Sequence, residues 1–327
     1  MMALRNSFIQ QHKREGIVKK KLMRAAVAAF VTALVFNSGA NAGELRIGTA
    51  SQGGAFYPIG QAISNLVTKY VDGTTMVPIV TQGSVQNPRL VANGEVDLGI
   101  TNNNLAWFAI NGTGPYKDGE LPLAGVAALH PSVLHMVALE GSDIHDVGDL
   151  RGKRVAVGPA GGGTVNILTN LLAAYDMSID DITPSFLSYG DGFSELGDGN
   201  VDAALALAGY PTSAVLQTQA TKNIQFIGIA GDKLADVLAS HSYYTSIDVP
   251  ADTYKTSSPT TMIGVNNMLV VRSDMDADKV NAIASAIFDH MDEFVAENAI
   301  AKQIDPARSK TLAIALHPGA QSYFDGK

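Results

Sequence analysis

Two glycine-rich turns, each leading from a strand-like segment into a helix, constrain this chain more than any other feature. Ser51-Gln52-Gly53-Gly54-Ala55-Phe56-Tyr57-Pro58 follows the extended run Leu45 to Thr49. Gly158-Pro159-Ala160-Gly161-Gly162-Gly163-Thr164 follows Arg154 to Val157, about 110 residues later. A helix start leaves backbone N–H groups unpaired and carries the positive end of the helix dipole, so a close-fitting turn there holds small anions well. One such turn is also an ordinary tight connection. A matched pair points to a ligand cleft between two α/β lobes.

The segment before the first strand reads as an export signal. Lys19, Lys20, Lys21 and Arg24 precede the apolar run Ala25 to Phe36, and Ala40-Asn41-Ala42 is the small-x-small pattern that a signal peptidase cuts, with cleavage expected after Ala42. A membrane anchor needs roughly 20 apolar residues, and this run is about a dozen. Met23 is an alternative initiator. The mature protein is therefore expected in the periplasm.

Removing residues 1–42 changes the charge. The whole chain holds 23 basic and 31 acidic residues, and the leader takes seven of the first and one of the second, leaving 16 against 30, a net of −14. So acidic a surface disfavours nucleic acid and anionic membranes and suits a soluble monomer. There is no cysteine, hence no disulfide framework and no thiolate metal site. A chain of this length buries enough core without either.

Strands and helices alternate through the mature chain, which predicts a mainly parallel sheet. Helical spacing of Ile59, Ile63, Leu66 and Val67 sets a helix over Pro58 to Val71; Thr75 to Thr81 and Val96 to Thr101 read as strands. The apolar stretch Leu123 to Leu139 is long enough to cross between lobes, and Thr260 to Val271 is placed to carry the chain back. A second α/β unit lies between them: strand Arg154 to Val157, helix Thr164 to Ala174, strand Thr183 to Leu187 and helix Gly192 to Gly197. The C-terminal helix is expected from about Asp276, with Val280, Ile283, Ile287, Met291 and Phe294 as its core stripe. Lobe I then comprises residues 43–130 and 271–327, and lobe II residues 131–270.

Catalytic signatures are thin. The seven histidines show no His-Glu-x-x-His spacing, and Gly-x-Ser-x-Gly and the phosphate-binding Gly-x-x-x-x-Gly-Lys-Ser/Thr are absent. The turn at Gly158 to Gly163 meets the dinucleotide fingerprint only loosely, with Asp180 and Asp181 near the ribose-contact distance. Asp274, Asp276 and Asp278 alternate like calcium ligands, but Lys279 stands where that loop needs glycine, so they read as acids favouring a helix start. No metal and no cofactor is expected.

Six segments together resemble the TAXI family of solute-binding proteins from TRAP transporters: Gly53 to Pro58, Thr81-Gln82-Gly83-Ser84-Val85, Gly94 to Ile100, Leu150 to Gly158, Gly161 to Thr164 and Leu316-His317-Pro318-Gly319-Ala320. The similarity runs in order from about Glu44 to Phe324, and where many members read Gln-Asn-Asp this chain has Asn102-Asn103-Asn104. The resemblance implies a type II periplasmic-binding-protein fold, two α/β lobes on a two-segment hinge. It further implies delivery of a small carboxylate or amino acid, glutamate-like or dicarboxylic, to TRAP membrane subunits.

The cleft is expected to be lined by Gly53, Gly54 and Tyr57, by Gln82, Gly83 and Ser84 at another helix start, and by Asn102 and Asn103 at a strand end, where open α/β sheets place ligands. From lobe II, Gly161, Gly162, Gly163 and Thr164 offer backbone N–H groups and a hydroxyl to a carboxylate, Tyr210 an apolar wall, and His135 an imidazole. Several side chains read two ways: Ser84 as ligand contact or N-cap, Tyr57 as cleft wall or core, His135 as ligand contact or buried histidine. Arg89 is the nearest carboxylate fork, or else faces solvent. The expected function is a binding receptor closing on its hinge; an exported α/β enzyme acting on a small anionic metabolite is the alternative.

Overall fold

The computed structural model describes residues 43–327; the leader and its cleavage site lie outside them. Strand β1 (Glu44–Gly48) alternates exposed Glu44 and Arg46 with buried Leu45 and Ile47, the two-residue period of a strand. Helix α1 (Phe56–Tyr70) buries Ile59, Ile63, Leu66 and Val67 along one stripe. It starts two residues before the expected Pro58, which sits in the first turn, where its missing N–H costs nothing. Then come β2 (Thr75–Ile79), α2 (Gln86–Ala92), β3 (Leu98–Asn102) and α3 (Asn103–Ile110).

The buried strand β4 (Leu123–Leu139) is unbroken over the stretch expected to cross the molecule. Beyond it lie β5 (Arg154–Ala156), α4 (Gly163–Ala174), β6 (Thr183–Ser185), α5 (Tyr189–Asp198) and β7 (Ala203–Ala208). Four further elements follow, α6 (Ser213–Gln219), β8 (Ile224–Phe226), α7 (Gly231–Ser240) and β9 (Tyr244–Val249). The short α8 (Ala251–Tyr254) precedes the long return strand β10 (Thr260–Arg272).

Past β10 the expected single helix is two. In α9 (Ala277–Phe288) Val280, Ile283 and Ile287 are buried, whereas Met291 and Phe294 belong to α10 (Met291–Glu297), because the backbone leaves helical geometry at His290. Asp276 caps α9 by accepting a 2.8 Å hydrogen bond from the Lys279 amide, and Asp274 pairs with Arg272, so the acids serve a helix start and an ion pair. A last helix, α11 (Pro318–Asp325), ends the chain.

The ten strands of the described residues form one sheet in the order β2-β1-β3-β10-β4-β7-β5-β6, with β9 added to β10 and β8 to β4. The expectation of a mainly parallel sheet is corrected. Parallel pairing is confined to β2-β1-β3 at one end and β7-β5-β6 at the other, while β10 pairs antiparallel with β3, β4 and β9, and β4 with β7 and β8. A chain that runs out along one long strand and back along another places those two strands antiparallel, and their neighbours inherit the mixed pattern.

Apolar packing follows the same division. One core cluster draws on residues 45–129 and 269–324, a second on residues 134–265. Glu44–Lys327 nonetheless form one compact unit. Among the described residues no helix is long and apolar enough to cross a membrane.

Candidate functional site

The two glycine turns meet. In the first, Gly53 has φ +98°, open to glycine, and a Cβ there would stand 2.8 Å from the Gly190 amide nitrogen. Its carbonyl accepts hydrogen bonds from Thr212 Oγ1 at 2.7 Å and the Ala214 amide at 3.1 Å, fastening this turn to the start of α6.

In the second turn the glycines serve close approach. Gly162 has φ −90°, which any residue adopts. A Cβ on Gly161 would lie 2.7 Å from Gln82 Oε1, and one on Gly163 2.2 Å from Asn102 Oδ1. The Gly161 amide donates to Gln82 Oε1 at 2.8 Å, while its carbonyl accepts from the amides of Val85 at 3.0 Å and Gln86 at 3.1 Å. The start of α2, expected to face ligand, is thus occupied by a carbonyl of the opposite turn. Ser84 is not its cap either: Val85 flanks the helix and no side chain bonds to it.

Tyr189 is wedged between the turns. Its ring would be 3.0 Å from a Cβ on Gly54 and 2.9 Å from one on Gly158, so both positions must lack a side chain. Its hydroxyl bonds Thr164 Oγ1 at 2.7 Å and donates to the Leu207 carbonyl at 3.1 Å.

Around the meeting point lies a cavity of about 10 Å³, enough for about one water. Of the expected residues Gly54, Gln82, Gly83, Ser84, Gly162 and Gly163 line it; Ser51, Phe56, Tyr189 and Leu207 do so unanticipated. No wall residue carries a charge at neutral pH. The starts of α1 and α4 border this space, and neither has a side-chain cap.

The other expected side chains are engaged elsewhere. Thr164 is fully buried, its hydroxyl accepting from the Leu207 amide at 3.2 Å besides its bond to Tyr189, so it is not turned toward the cavity. His135 is also fully buried in β4: Nδ1 donates to the Ala206 carbonyl at 3.1 Å and Nε2 accepts from Tyr254 Oη at 2.7 Å. Burial holds its pKa down at about 4, against the smaller opposing effect of hydrogen bonds to Ala206 and Val133. Both ring nitrogens are thus engaged by protein partners.

Asn102 Nδ2 donates to Asn267 Oδ1 at 2.7 Å, tying β3 to β10, and Asn103 Oδ1 accepts from the Ala313 amide at 2.9 Å. Helical rotation puts Phe56 on the cavity wall in place of Tyr57. Tyr210 is partly buried against a core cluster, its carbonyl accepting from Gln303 Nε2 at 2.6 Å. Arg89 stacks over the Tyr116 ring and donates to the Val85 carbonyl at 3.4 Å and to that of Pro115, which makes it a brace for α2 and no carboxylate fork.

Tyr189 had a signal. Ser188-x-x-Asp191 is a capping pattern, and the Asp191 amide does donate to Ser188 Oγ at 3.1 Å, starting α5 at Tyr189 and not at Gly192. Leu207 and Phe56 look like any core residue.

Comparison with known proteins agrees with this architecture. A solved structure of a protein from Bordetella bronchiseptica RB50 superposes with a TM-score of 0.52 at 14% identity, covering 86% of this chain and 83% of that one. A solved structure of a putative L-cystine ABC transporter from Listeria monocytogenes gives 0.50 at 13% identity, covering 82% of this chain and 98% of that one. Both share the mixed α/β fold of this chain. A curated protein of Escherichia coli (strain K12), named a putative aliphatic sulfonates-binding protein, is 31% identical over 124 residues, 38% of this chain and only 37% of its own length. Over residues 47–327, from β1 through both turns to the last helix, the sequence matches the NMT1-like family, and the chain belongs to that family.

Proposed function

We propose that this protein is an extracytoplasmic solute receptor, not an enzyme, that captures a small organic acid by closing two lobes, residues 43–130 with 271–327 and residues 131–270, about the β4 and β10 crossings. One observation carries the reading: two glycine turns at helix starts meet around a cavity that has no charged wall. That cavity, about 10 Å³, is far smaller than any organic acid, so a solute enters only if the turns part. The closing contacts join Gly161 to the Gln82 side chain and to the amides of Val85 and Gln86, and Gly53 to the Thr212 hydroxyl and the Ala214 amide.

The named relatives are binding or transport proteins, which supports the receptor reading. A carboxylate or amino-acid ligand and delivery to a TRAP-type permease rest on the motif resemblance to the TAXI family; the names of the relatives point to sulfonates, cystine and ABC systems. Export rests on the leader, with Gly43 as the first mature residue, which N-terminal sequencing of periplasmic material checks.

Mass spectrometry of solutes that copurify with the mature protein, followed by a thermal-shift screen of carboxylates, amino acids and alkanesulfonates, tests the reading. Binding of one of these, with a smaller radius of gyration by small-angle scattering, is expected. A protein that binds none of them, or binds without compaction, overturns it.

A further inference from the structure

Buried polar atoms without partners are rare in folded proteins, and each is costly unless something satisfies it. Among the described residues five such side-chain atoms occur, on Ser51, Asn104, His130 and Gln303. Only Ser51 belongs to a residue that lines the cavity between the turns, and it is 8% exposed.

We infer that Ser51 is a ligand-binding residue whose hydroxyl donates to an oxygen of a monoanionic solute seated between the starts of α1 and α4. This rests on the receptor reading and deepens it by assigning the anion's seat and charge. The seat differs from the one the turn sequences suggest: Thr164 is spent on Tyr189 and Leu207, and the start of α2 on Gly161, whereas the buried hydroxyl without a partner at this cavity stands on the first turn.

Charge follows from the same geometry. Each helix start carries roughly half a positive charge, and α1 and α4 are long enough, at 15 and 12 residues, to develop it. Their sum offsets about one negative charge, and no cationic wall residue is present to offset a second. Sulfonate and monocarboxylate headgroups share this chemistry, a single charge spread over oxygens that accept from N–H and O–H donors. A dianion would bring a surplus buried charge.

Titration calorimetry on the mature chain, with butanesulfonate and butyrate as monoanionic probes and succinate and sulfate as dianionic ones, tests the inference. At least one monoanion should bind more tightly than either dianion, and the better monoanion identifies the headgroup. Ser51→Ala should weaken that binding roughly 10- to 150-fold, the range for a charge-assisted hydrogen bond, with Ser51→Cys, similar in size but a weaker donor, falling between. Both variants should melt within a few degrees of the parent; if Ser51→Ala does not fold, the Cys variant carries the comparison. Equal affinity in parent and variants, or tighter binding of a dianion, overturns the inference while leaving a receptor in place. No binding of either monoanion overturns the organic-acid reading and the inference with it.

Discussion

The amide of Gly161 donates a 2.8 Å hydrogen bond to Oε1 of Gln82, a residue 79 positions earlier in the chain and on the opposite side of the cavity. Gln82 is itself steadied, since its amide donates to Gln86 Oε1 at 2.8 Å. The glutamine side chain therefore bridges the two turns, and the absence of a Cβ at Gly161 is what lets it come so near.

Shortening that bridge should loosen closure. Gln82→Ala removes one hydrogen bond of about 1 kcal/mol from the closed arrangement, so solute affinity should fall about fivefold. Small-angle scattering of the solute-free protein should show a larger radius of gyration. An unchanged radius and affinity would assign closure to the Gly53 contacts alone.

Bulk at Gly162 should be worse. A Cβ there would stand 3.0 Å from the Pro159 carbonyl and 3.3 Å from that of Gln82, so Gly162→Val should abolish binding by keeping the turns apart. The conformation itself is no obstacle, since φ is −90°. Calorimetry on folded variant protein checks this; near-parental affinity would mean that the turns need not meet.

Thr164→Ala should act on stability and hardly on affinity. The hydroxyl it removes is fully buried and leaves the Leu207 amide without its acceptor, at a cost of about 1 to 3 kcal/mol. Chemical denaturation should show the loss while Kd changes less than about twofold. A large affinity loss at parental stability would return this hydroxyl to the ligand.

Acid should destabilise the fold before carboxylates titrate. Burial holds His130 at a pKa of about 3 and His135 at about 4, below the ordinary 6.5. The unfolded chain takes up these protons below about pH 6.5 and the folded one does not, so the contribution is complete above that pH. It falls by about 1.4 kcal/mol per pH unit for each ring as acid is added. The loss ends near pH 4 for His135 and near pH 3 for His130. Denaturant titrations from pH 7 to pH 4.5 should show the decline, and His130→Leu should make it shallower. A slope identical in the variant would place the proton uptake elsewhere.

Local chemistry along the chain was enough to determine the long extended runs at Leu123 to Leu139 and Thr260 to Val271, both glycine turns and the helix start at Asp276. Each depends on spacing, on runs of apolar residues or on a cap within a few positions, and such features survive without knowledge of neighbours. The α/β class followed from their alternation.

What the tertiary structure decided was the direction of the polar groups around the cavity. Ser84, Thr164, His135 and Arg89 are plausible ligand contacts by type, yet three are consumed by partners far away in the chain, among them Leu207, Ala206 and Pro115, while Ser84 lines the cavity without capping α2. Ser51 is the reverse case, an unremarkable serine in a turn that becomes notable only because burial leaves its hydroxyl unsatisfied beside the cavity. Hydrogen-bond satisfaction is a property of the assembled sheet and its loops, and a one-dimensional string does not contain it.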